Sequence, residues 1–428
     1  MTSSLTRVKA RSELTGIITI PPSKSYTHRS VVISSLARGD SVIRNPLRSR
    51  DTNATINGCK AFGAKFDEVD SLKVVGCSPL TPEDVVNVEN SGTTLRFLSS
   101  VLTLTPSGFS VLTGDASIRR RPMQPLLNAL TDLGAFAKSA RGNGCAPVII
   151  GGGGLKGGEV NIRGDISSQF ISSLLISAPF AKNDIMLRTM DAVSRPYIDA
   201  TIAVMQRFGV EVANDNYETF TVRSGGGYKS GTISVPGDFS SASFLAAAVA
   251  MVGGKVELRG LSTELPQGDS VFFDILRTMG VNVNRKGDVF IVESNADKLN
   301  ASSFDLRDAP DLLPVIAVLG LKCDSKLVIR GVRHARFKET DRISVLTKEL
   351  KKLGSKIRER PDGLEVEPSD LKPATLDAHD DHRMFMAFTV VSMLFPDGIP
   401  VQGAECLDVS YPEFLQHIGR LGAVVECE

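Results

Sequence analysis

Residues 164–178 read GDISSQFISSLLISA, and residues 237–250 read GDFSSASFLAAAVA. Both stretches have a glycine, an aspartate and two serines in the same places, followed by an apolar run with helical spacing. Serine and aspartate are favourable N-cap residues because their side-chain oxygens accept hydrogen bonds from the first free backbone N–H groups of a helix. The two stretches therefore predict two capped helices, and their likeness indicates an internal repeat.

Four further stretches begin with polar or small residues and continue as an apolar helical run: SKSYTHRSVVISSLA from Ser23, NSGTTLRFLSSVL from Asn90, DAPDLLPVIAVLG from Asp308 and HDDHRMFMAFTVV from His379. The six starts lie about 70 residues apart, which is typical of a repeated supersecondary unit. Short strands are predicted between the helices, at Gly16–Ile20, Ala146–Ile150, Thr232–Val235 and Lys326–Ile329. Second helices are predicted at Gln124–Leu133, Tyr197–Phe208, Val271–Met279 and Asp341–Leu353, each ending near a glycine. The repeated unit is therefore strand–helix–strand–helix–strand–strand.

The length of 428 residues exceeds what one hydrophobic core usually supports. Six copies of the unit predict an α/β fold of two domains, each built of three βαβαββ repeats. The glycine-rich stretch at residues 224–231 and the Pro236–Gly237 pair indicate a boundary. We expect one domain at residues 20–234 and a second made of residues 1–19 plus 235–428.

Composition excludes several classes of protein. The 49 Lys and Arg residues nearly balance the 48 Asp and Glu residues, whereas a general nucleic-acid surface would show a basic excess. The six cysteines form no C-x-x-C pair, which argues against a zinc ribbon or a redox dithiol. No apolar run approaches the roughly 20 residues that span a bilayer, and the first residues lack the apolar centre of a signal peptide. We expect a cytoplasmic protein that binds neither nucleic acid nor membrane.

Basic residues gather near the predicted helix starts, where unpaired N–H groups and the helix dipole attract phosphates and carboxylates. Arginine adds a planar fork that binds such groups through two hydrogen bonds. The pattern favours small substrates with several negative charges. The residues are Lys24, Arg29, Arg96, Arg119, Arg120, Arg121, Arg342 and Arg383.

Two other patterns carry less weight. Gly151–Gly157 contains G-x-G-x-x-G, but a dinucleotide site needs a helix after it, and GEVNIRGDI continues as a strand. His379 and His382 have a spacing that could chelate a metal. We favour instead that Asp380 caps a helix while His382 and Arg383 face substrate, so neither a metal nor a cofactor is predicted.

Seven motifs occur in one order along the chain: PPSKSYTHR (Pro21–Arg29), NSGTTLR (Asn90–Arg96), LTGDASIRRRPMQPL (Leu112–Leu126), DISSQF (Asp165–Phe170), SRPYID (Ser194–Asp199), RFKETDR (Arg336–Arg342) and DDHRM (Asp380–Met384). This series resembles that of the 5-enolpyruvylshikimate-3-phosphate synthase family. The resemblance implies the inverted αβ-barrel-like enolpyruvyl transferase fold, with an active site in the cleft between two domains. It also implies transfer of the enolpyruvyl group of phosphoenolpyruvate to the 5-hydroxyl of shikimate 3-phosphate.

The resemblance assigns roles position by position. Shikimate 3-phosphate would be bound by Lys24, Ser25, Arg29, Ser167, Ser168, Gln169, Ser194, Asp311, His334 and Lys338. Phosphoenolpyruvate would be bound by Lys24, Gly92, Arg121, Gln169, Arg342 and Arg383. The implied addition and elimination need a positioned acid and base, for which we select Asp311 at the hydroxyl and Glu339 at the methylene carbon, with Lys24 close to both substrates. We expect the enzyme to be a monomer.

The chain departs from the family pattern at two positions. His334 stands where many bacterial members have asparagine, and Val409 stands where they have a lysine that contacts phosphoenolpyruvate. Two alternatives are open at this point. One is the related transferase that acts on UDP-N-acetylglucosamine, which usually has a cysteine where this chain reads RRRPMQP. The other is a non-catalytic anion-binding or RNA-binding repeat protein, which would have no need of the carboxylate in the KET motif.

Overall fold

The computed structural model describes residues 5–68, 71–295 and 297–427. These residues form two compact units. The central unit comprises residues 22–236, and the terminal unit comprises the residues up to 21 together with those from 237 onward. Each unit is described separately below.

Strands and helices are numbered along the chain. The strands are β1 (Leu5–Ala10), β2 (Leu14–Thr19), β3 (Ala37–Arg38), β4 (Asp40–Arg44), β5 (Lys65–Asp67), β6 (Leu72–Val75), β7 (Val86–Asn87), β8 (Phe109–Thr113), β9 (Ala137–Ser139), β10 (Val148–Gly151), β11 (Gly158–Arg163), β12 (Ile185–Met190), β13 (Val212–Asp215), β14 (Thr219–Val222), β15 (Tyr228–Lys229), β16 (Thr232–Ser234), β17 (Gly254–Arg259), β18 (Asn282–Lys286), β19 (Val289–Ser294), β20 (Ser303–Asp305), β21 (Leu327–Arg330), β22 (Lys356–Arg360), β23 (Gly363–Glu367), β24 (Leu376–Asp377), β25 (Pro400–Gln402) and β26 (Ala423–Cys427). The α-helices are α1 (Lys24–Leu36), α2 (Arg50–Ala61), α3 (Gly92–Val101), α4 (Gln124–Asp132), α5 (Ser168–Ser177), α6 (Arg195–Arg207), α7 (Phe239–Val252), α8 (Phe272–Thr278), α9 (Leu313–Leu319), α10 (Arg342–Lys352), α11 (His382–Ser392) and α12 (Phe414–Arg420).

Six four-stranded sheets share one topology. In the central unit their strand orders are β16-β4-β6-β5, β7-β8-β10-β9 and β11-β12-β14-β13, and in the terminal unit they are β18-β19-β17-β2, β20-β21-β23-β22 and β24-β25-β1-β26. In each sheet one edge pair is parallel and the other two pairings are antiparallel, as in β11, β12, β14 and β13. The predicted α/β fold with three βαβαββ repeats in each unit is therefore confirmed.

The first helix of each repeat lies in the core of its unit. In the central unit α3 packs against α1 and α5, and in the terminal unit α7, α9 and α11 pack against one another. Every side chain of α7 from Phe239 to Met251 is buried. A helix that is buried on all sides needs apolar or small residues around its whole circumference, which explains the alanines and serines in these runs. The N-termini of these helices carry most of the candidate site residues.

The terminal unit is completed by its first two strands. β2 pairs in parallel with β17, from Leu14 opposite Gly254 to Thr19 opposite Arg259, and β1 lies between β25 and β26. Gly254 has a φ of 120°, and a Cβ on it would lie 2.0 Å from the carbonyl oxygen of Leu14. Only glycine fits this position, so the close approach of the two strands depends on it.

The predicted elements agree with the structure to within a few residues at their ends, as for the helix predicted at Tyr197–Phe208, which spans Arg195–Arg207. One predicted N-cap is wrong. Asp380 has a left-handed φ of 59°, and the side chain of Asp381 accepts the capping hydrogen bond from the N–H of Arg383. Within the described ranges, no helix has the length and apolar character needed to cross a membrane.

Candidate active site

The N-terminal halves of α1, α3 and α5, the start of α6, and Arg121 before α4 provide the first group of candidate residues, which we call the central cluster. It contains Lys24, Ser25, Arg29, Gly92, Arg96, Arg121, Ser167, Ser168, Gln169 and Ser194. Lys24 is the first residue of α1, and its Nζ lies 3.0 Å from Oδ2 of Asp51 on α2. Asp51 is buried, so it fixes the direction of the Lys24 ammonium group.

Arg29 is a buried cation, with 2% of its surface exposed. Among the described residues, its guanidinium donates only to neutral oxygens: Thr201 Oγ1 at 2.8 Å, Ser25 Oγ at 2.7 Å and the backbone carbonyls of Ser25 and Tyr197. Burial lowers the pKa of Arg29 to about 10, so the group is still charged at neutral pH. A buried charge held by neutral oxygens is well suited to a negatively charged or polar ligand.

Helices α3 and α5 are joined by a side-chain network. Arg96 Nη1 donates to Gln169 Oε1 at 2.7 Å, and Gln169 Nε2 donates to Thr93 Oγ1 at 2.9 Å. A Cβ on Gly92 would lie 2.7 Å from Arg96 Nη1 and 2.8 Å from Arg121 Nη1. The start of α3 is therefore bordered by two guanidinium groups, and a glycine there leaves its first N–H accessible to an anion.

Three serines of the central cluster lie at the starts of α5 and α6. Ser167 is the N-cap of α5 and accepts from the N–H of Gln169, and Ser168 is the first residue of that helix. Ser194 is the N-cap of α6 and has a left-handed φ of 53°. The N–H of Val193 donates to the carbonyl of Gly164, so the loops before α5 and α6 run side by side. Hydroxyl groups beside two helix N-termini form a favourable environment for a phosphate.

Asp311, His334, Lys338, Glu339, Arg342 and Arg383 lie in the terminal unit and form the second group, the terminal cluster. Arg342, the first residue of α10, is 1% exposed. Its guanidinium donates to three carboxylates: Asp381 and Glu339 at 2.7 Å and Asp311 at 2.8 Å. The three carboxylates contact different nitrogen atoms of the guanidinium. Arg342 therefore keeps all three contacts although other cations of the cluster lie nearby.

Asp311 is the point where the terminal cluster converges. It lies in the 3-10 turn Pro310–Leu312 before α9. Its Oδ1 accepts from Arg342 and lies 3.3 Å from Lys338 Nζ, and its Oδ2 lies 3.0 Å from Arg383 Nη2. Arg383 also donates to the hydroxyl of Ser240 on α7. One carboxylate therefore joins three cations that come from two different segments of the terminal unit.

Burial and charge set two pKa values in the terminal cluster. Burial, aided by Lys338, lowers the pKa of His334 to about 3, so its imidazole is neutral at neutral pH. Burial also lowers the pKa of Arg342, but Asp381, Glu339 and Asp311 together outweigh burial and raise it above its ordinary value. The cluster therefore keeps Arg342 charged and His334 uncharged.

Asp269 was not among the residues predicted for the site, yet it is buried next to them. Burial and the charge of Asp311 raise its pKa to about 7 from the ordinary 3.8. Between about pH 4 and pH 7 the unfolded chain has this carboxylate ionised while the folded chain keeps it protonated. The free energy of unfolding contributed by Asp269 therefore falls as pH rises through this window and is constant above it.

Replacing Asp269 with asparagine should remove this dependence. We expect D269N to gain stability relative to the wild type as pH rises from 5 to 7.5, by at most about 3 kcal/mol, because about two pH units of the window lie in this range and each corresponds to about 1.36 kcal/mol. Thermal unfolding of both proteins across this range measures the difference. D274N is the matched control, since Asp274 is exposed on α8, and its profile should follow the wild type. Parallel profiles for D269N and the wild type would contradict the prediction.

Sequence reasoning also missed Asp51 and Asp381, which hold Lys24 and Arg342. Asp381 is present in the DDHRM motif, but the adjacent Asp380 has the same side chain, and nothing in the motif distinguishes the two. Asp51 lies in RDTNAT, outside the motifs, and only the packing of α1 against α2 shows its role.

Comparison with known proteins shows the family of this chain. The model of the EPSP synthase (3-phosphoshikimate 1-carboxyvinyltransferase) family matches residues 8–418. The 3-phosphoshikimate 1-carboxyvinyltransferase of Methanothermobacter thermautotrophicus is 46% identical over 417 residues, which cover 97% of this chain and 98% of that protein. The chain belongs to the EPSP synthase family. The family member of Nitrosopumilus maritimus with the same name is 42% identical over 424 residues, covering 98% of this chain and 99% of that protein.

Solved structures give the same result. The EPSP synthase of Acinetobacter baumannii has a TM-score of 0.83 and 25% identity, with both chains covered completely. The enolpyruvyl transferase NikO of Streptomyces tendae has a TM-score of 0.81 at 17% identity, covering 100% of this chain and 99% of that one, and shows the fold alone. The predicted family and fold are confirmed, and neither the UDP-N-acetylglucosamine transferase nor the non-catalytic repeat protein is favoured.

Proposed function

We propose that this protein is an EPSP synthase, which transfers the enolpyruvyl group of phosphoenolpyruvate to the 5-hydroxyl of shikimate 3-phosphate and releases phosphate. Membership of the EPSP synthase family over residues 8–418 carries this proposal. The basic groups of the central cluster and the basic and acidic groups of the terminal cluster are the chemical groups that this reaction needs. We propose that residues of both clusters serve one reaction.

Shikimate 3-phosphate is assigned mainly to the central cluster. Ser167, Ser168 and Ser194 supply hydroxyl groups to its phosphate at the starts of α5 and α6. The buried Arg29 and the neighbouring Ser25 donate hydrogen bonds to the ring substituents. Further contacts are assigned to Lys24, Gln169, Asp311, His334 and Lys338. The low pKa of His334 makes it a neutral hydrogen-bonding group, as the asparagine at this position in many family members would be.

Phosphoenolpyruvate is assigned to Lys24, Gly92, Arg121, Gln169, Arg342 and Arg383. The guanidinium of Arg342 already makes four hydrogen bonds, to Asp311, Glu339 and Asp381, so an anion that binds it through two hydrogen bonds has to replace at least one carboxylate. The displaced carboxylate then loses its hydrogen bond from Arg342 and becomes available for proton transfer with a substrate. Binding of the anion would thus prepare the two groups that move protons.

The addition step and the elimination step each need two proton transfers. In the addition step, the 5-hydroxyl oxygen bonds to C2 of phosphoenolpyruvate and Asp311 accepts the hydroxyl proton. Glu339, which takes up a proton from solvent once the anion has displaced it from Arg342, donates that proton to the methylene carbon. In the elimination step, Glu339 takes a proton back from the new methyl group, the bond from C2 to the phosphate oxygen breaks, and the proton held by Asp311 passes to the leaving phosphate. Lys24 neutralises charge that develops at the leaving group.

An assay of inorganic phosphate tests the proposal. Phosphate should be released from phosphoenolpyruvate only when shikimate 3-phosphate is also present, and the product should contain the enolpyruvyl ether. The matched omissions are phosphoenolpyruvate alone, and phosphoenolpyruvate with UDP-N-acetylglucosamine. Release with the nucleotide sugar, or no release with shikimate 3-phosphate, would contradict the proposed function.

We also propose that the enzyme acts as a monomer in the cytoplasm. Each unit has its own buried core and carries its own cluster, and every residue assigned above belongs to a single chain. Analytical ultracentrifugation should give the mass of one chain, 45.9 kDa. A dimer at the enzyme concentration of the assay would contradict the first part, and recovery of the protein in a membrane or secreted fraction would contradict the second.

A further inference from the structure

The segment before α11 contains two consecutive non-glycine residues in the left-handed region. His379 has a φ of 51° and Asp380 a φ of 59°. Non-glycine residues rarely adopt this conformation, and two in a row need support from their surroundings. We call residues 377–381 the strained turn. It joins β24 to α11, which carries Arg383.

Glu349 on α10 holds the strained turn. Its side chain is completely buried. Oε2 accepts from the N–H of Asp377 at 2.9 Å, and Oε1 lies 3.1 Å from His379 Nε2. Lys352, one helical turn further along α10, lies 2.5 Å from Oε2. A buried carboxylate is costly unless its hydrogen bonds are made, and two of the three partners of this one belong to the turn.

The strained turn leads into groups of the terminal cluster. Its last residue, Asp381, is completely buried, caps α11 through the N–H of Arg383, and accepts from Arg342 Nε at 2.7 Å and Nη2 at 3.2 Å. The Asp381 carboxylate therefore holds the guanidinium of Arg342 directly and holds Arg383 at its backbone, from which that side chain extends. Glu349 holds the strained turn at Asp377 and His379, which lie four and two residues before Asp381. A change at Glu349 should therefore displace both arginines, although Glu349 contacts neither of them.

We infer that Glu349 is a positioning residue for enolpyruvyl transfer, which holds Arg342 and Arg383 in place through the strained turn. The inference rests on the proposed function, in which these two arginines bind phosphoenolpyruvate. Glu349 lies on α10 and contacts the backbone of Asp377 and the ring of His379 in the strained turn. Its effect is therefore transmitted through the turn to these two arginines, and so to the binding of phosphoenolpyruvate. Shikimate 3-phosphate, assigned mainly to the central cluster, should be affected much less.

Steady-state kinetics of E349A and H379N test the inference. Both variants lose the contact between Glu349 and the His379 ring, and H379N keeps a side chain that tolerates a left-handed φ. We expect the KM for phosphoenolpyruvate to rise about tenfold to a hundredfold in E349A, since a displacement of about 1 Å has effects of this size. In H379N it should rise less, and in both the KM for shikimate 3-phosphate should change less than about twofold.

K352M is the matched control. It removes the partner of Glu349 that lies on the same helix and leaves both contacts to the turn. If Glu349 only stabilises α10, K352M and E349A should both lower the melting temperature and leave the two KM values unchanged, which would overturn the inference. Loss of turnover in proportion to the folded fraction, with unchanged KM values, would do the same.

Two further outcomes are distinguishable. If E349A does not fold, H379N decides: a KM for phosphoenolpyruvate equal to that of the wild type overturns the inference, and a selective rise supports it. The wild-type enzyme is assayed first with both substrates. Absence of phosphate release there would contradict the proposed function, whereas turnover by the wild type with unchanged KM values in both variants would contradict only the role of Glu349.

Discussion

Replacing Asp311 with asparagine should lower the turnover number of enolpyruvyl transfer by about a hundredfold to ten-thousandfold, the range that a positioned general acid or base contributes. Asparagine has nearly the same shape but cannot accept the proton of the 5-hydroxyl. It also removes the negative charge that Arg342, Arg383 and Lys338 share. The loss should therefore appear in kcat with both substrates saturating.

The control for D311N is D274N, which makes the same change on the exposed face of α8 and should keep wild-type turnover. E339Q separates the two proton steps. If Glu339 exchanges protons with the methylene carbon, incorporation of solvent deuterium into that carbon should fall in E339Q by at least the factor by which turnover falls. Turnover of D311N within about threefold of the wild type, below the effect expected of an acid or base, would exclude Asp311 as the base.

The repeat could be predicted from sequence because each copy marks its own start. The Gly-Asp-x-Ser-Ser pattern occurs at Gly164 and again at Gly237, and the other four starts also join polar or small residues to an apolar run. The six sheets repeat one strand order in the same way. What could not be predicted was which strand completes which sheet. β1 and β26 are separated by most of the chain and still pair, and no local pattern encodes a pairing over that distance.

In the candidate site, too, one group of residues could be predicted from sequence and another could not. Arginines at helix starts could be found from the motifs, since the chemistry of an anion site requires them there. Their acidic partners could not, because a carboxylate that holds an arginine looks like any other acidic residue in sequence. Asp51, Asp269 and Glu349 lie outside the seven motifs, and each has its effect through burial and through a contact with another element.

Replacing Arg342 with methionine should have the largest effect on stability. Methionine fills part of the volume but leaves Asp381, Asp311 and Glu339 without the cation that they share, and Asp381 is completely buried. Breaking a buried ion pair by removing one partner costs about 3–5 kcal/mol. For a unit of about 200 residues, each kcal/mol lowers the melting temperature by about 2–4 °C, so we expect a decrease of roughly 10 °C and no measurable turnover.

Removing the charge of Asp381 distinguishes uncompensated charge from a packing defect. If the loss comes from the buried carboxylate that Arg342 no longer balances, the double variant R342M/D381N should melt at a higher temperature than R342M, because asparagine carries no charge and is still a favourable N-cap. A packing defect would leave the double variant no more stable than R342M. R259M is the matched control, because Arg259 pairs with Glu257 at an exposed position, where an ion pair contributes about 0–1 kcal/mol. A melting temperature for R342M as close to the wild type as that of R259M would show that the three carboxylates do not need the arginine, and would remove the reason for placing it at the centre of the terminal cluster.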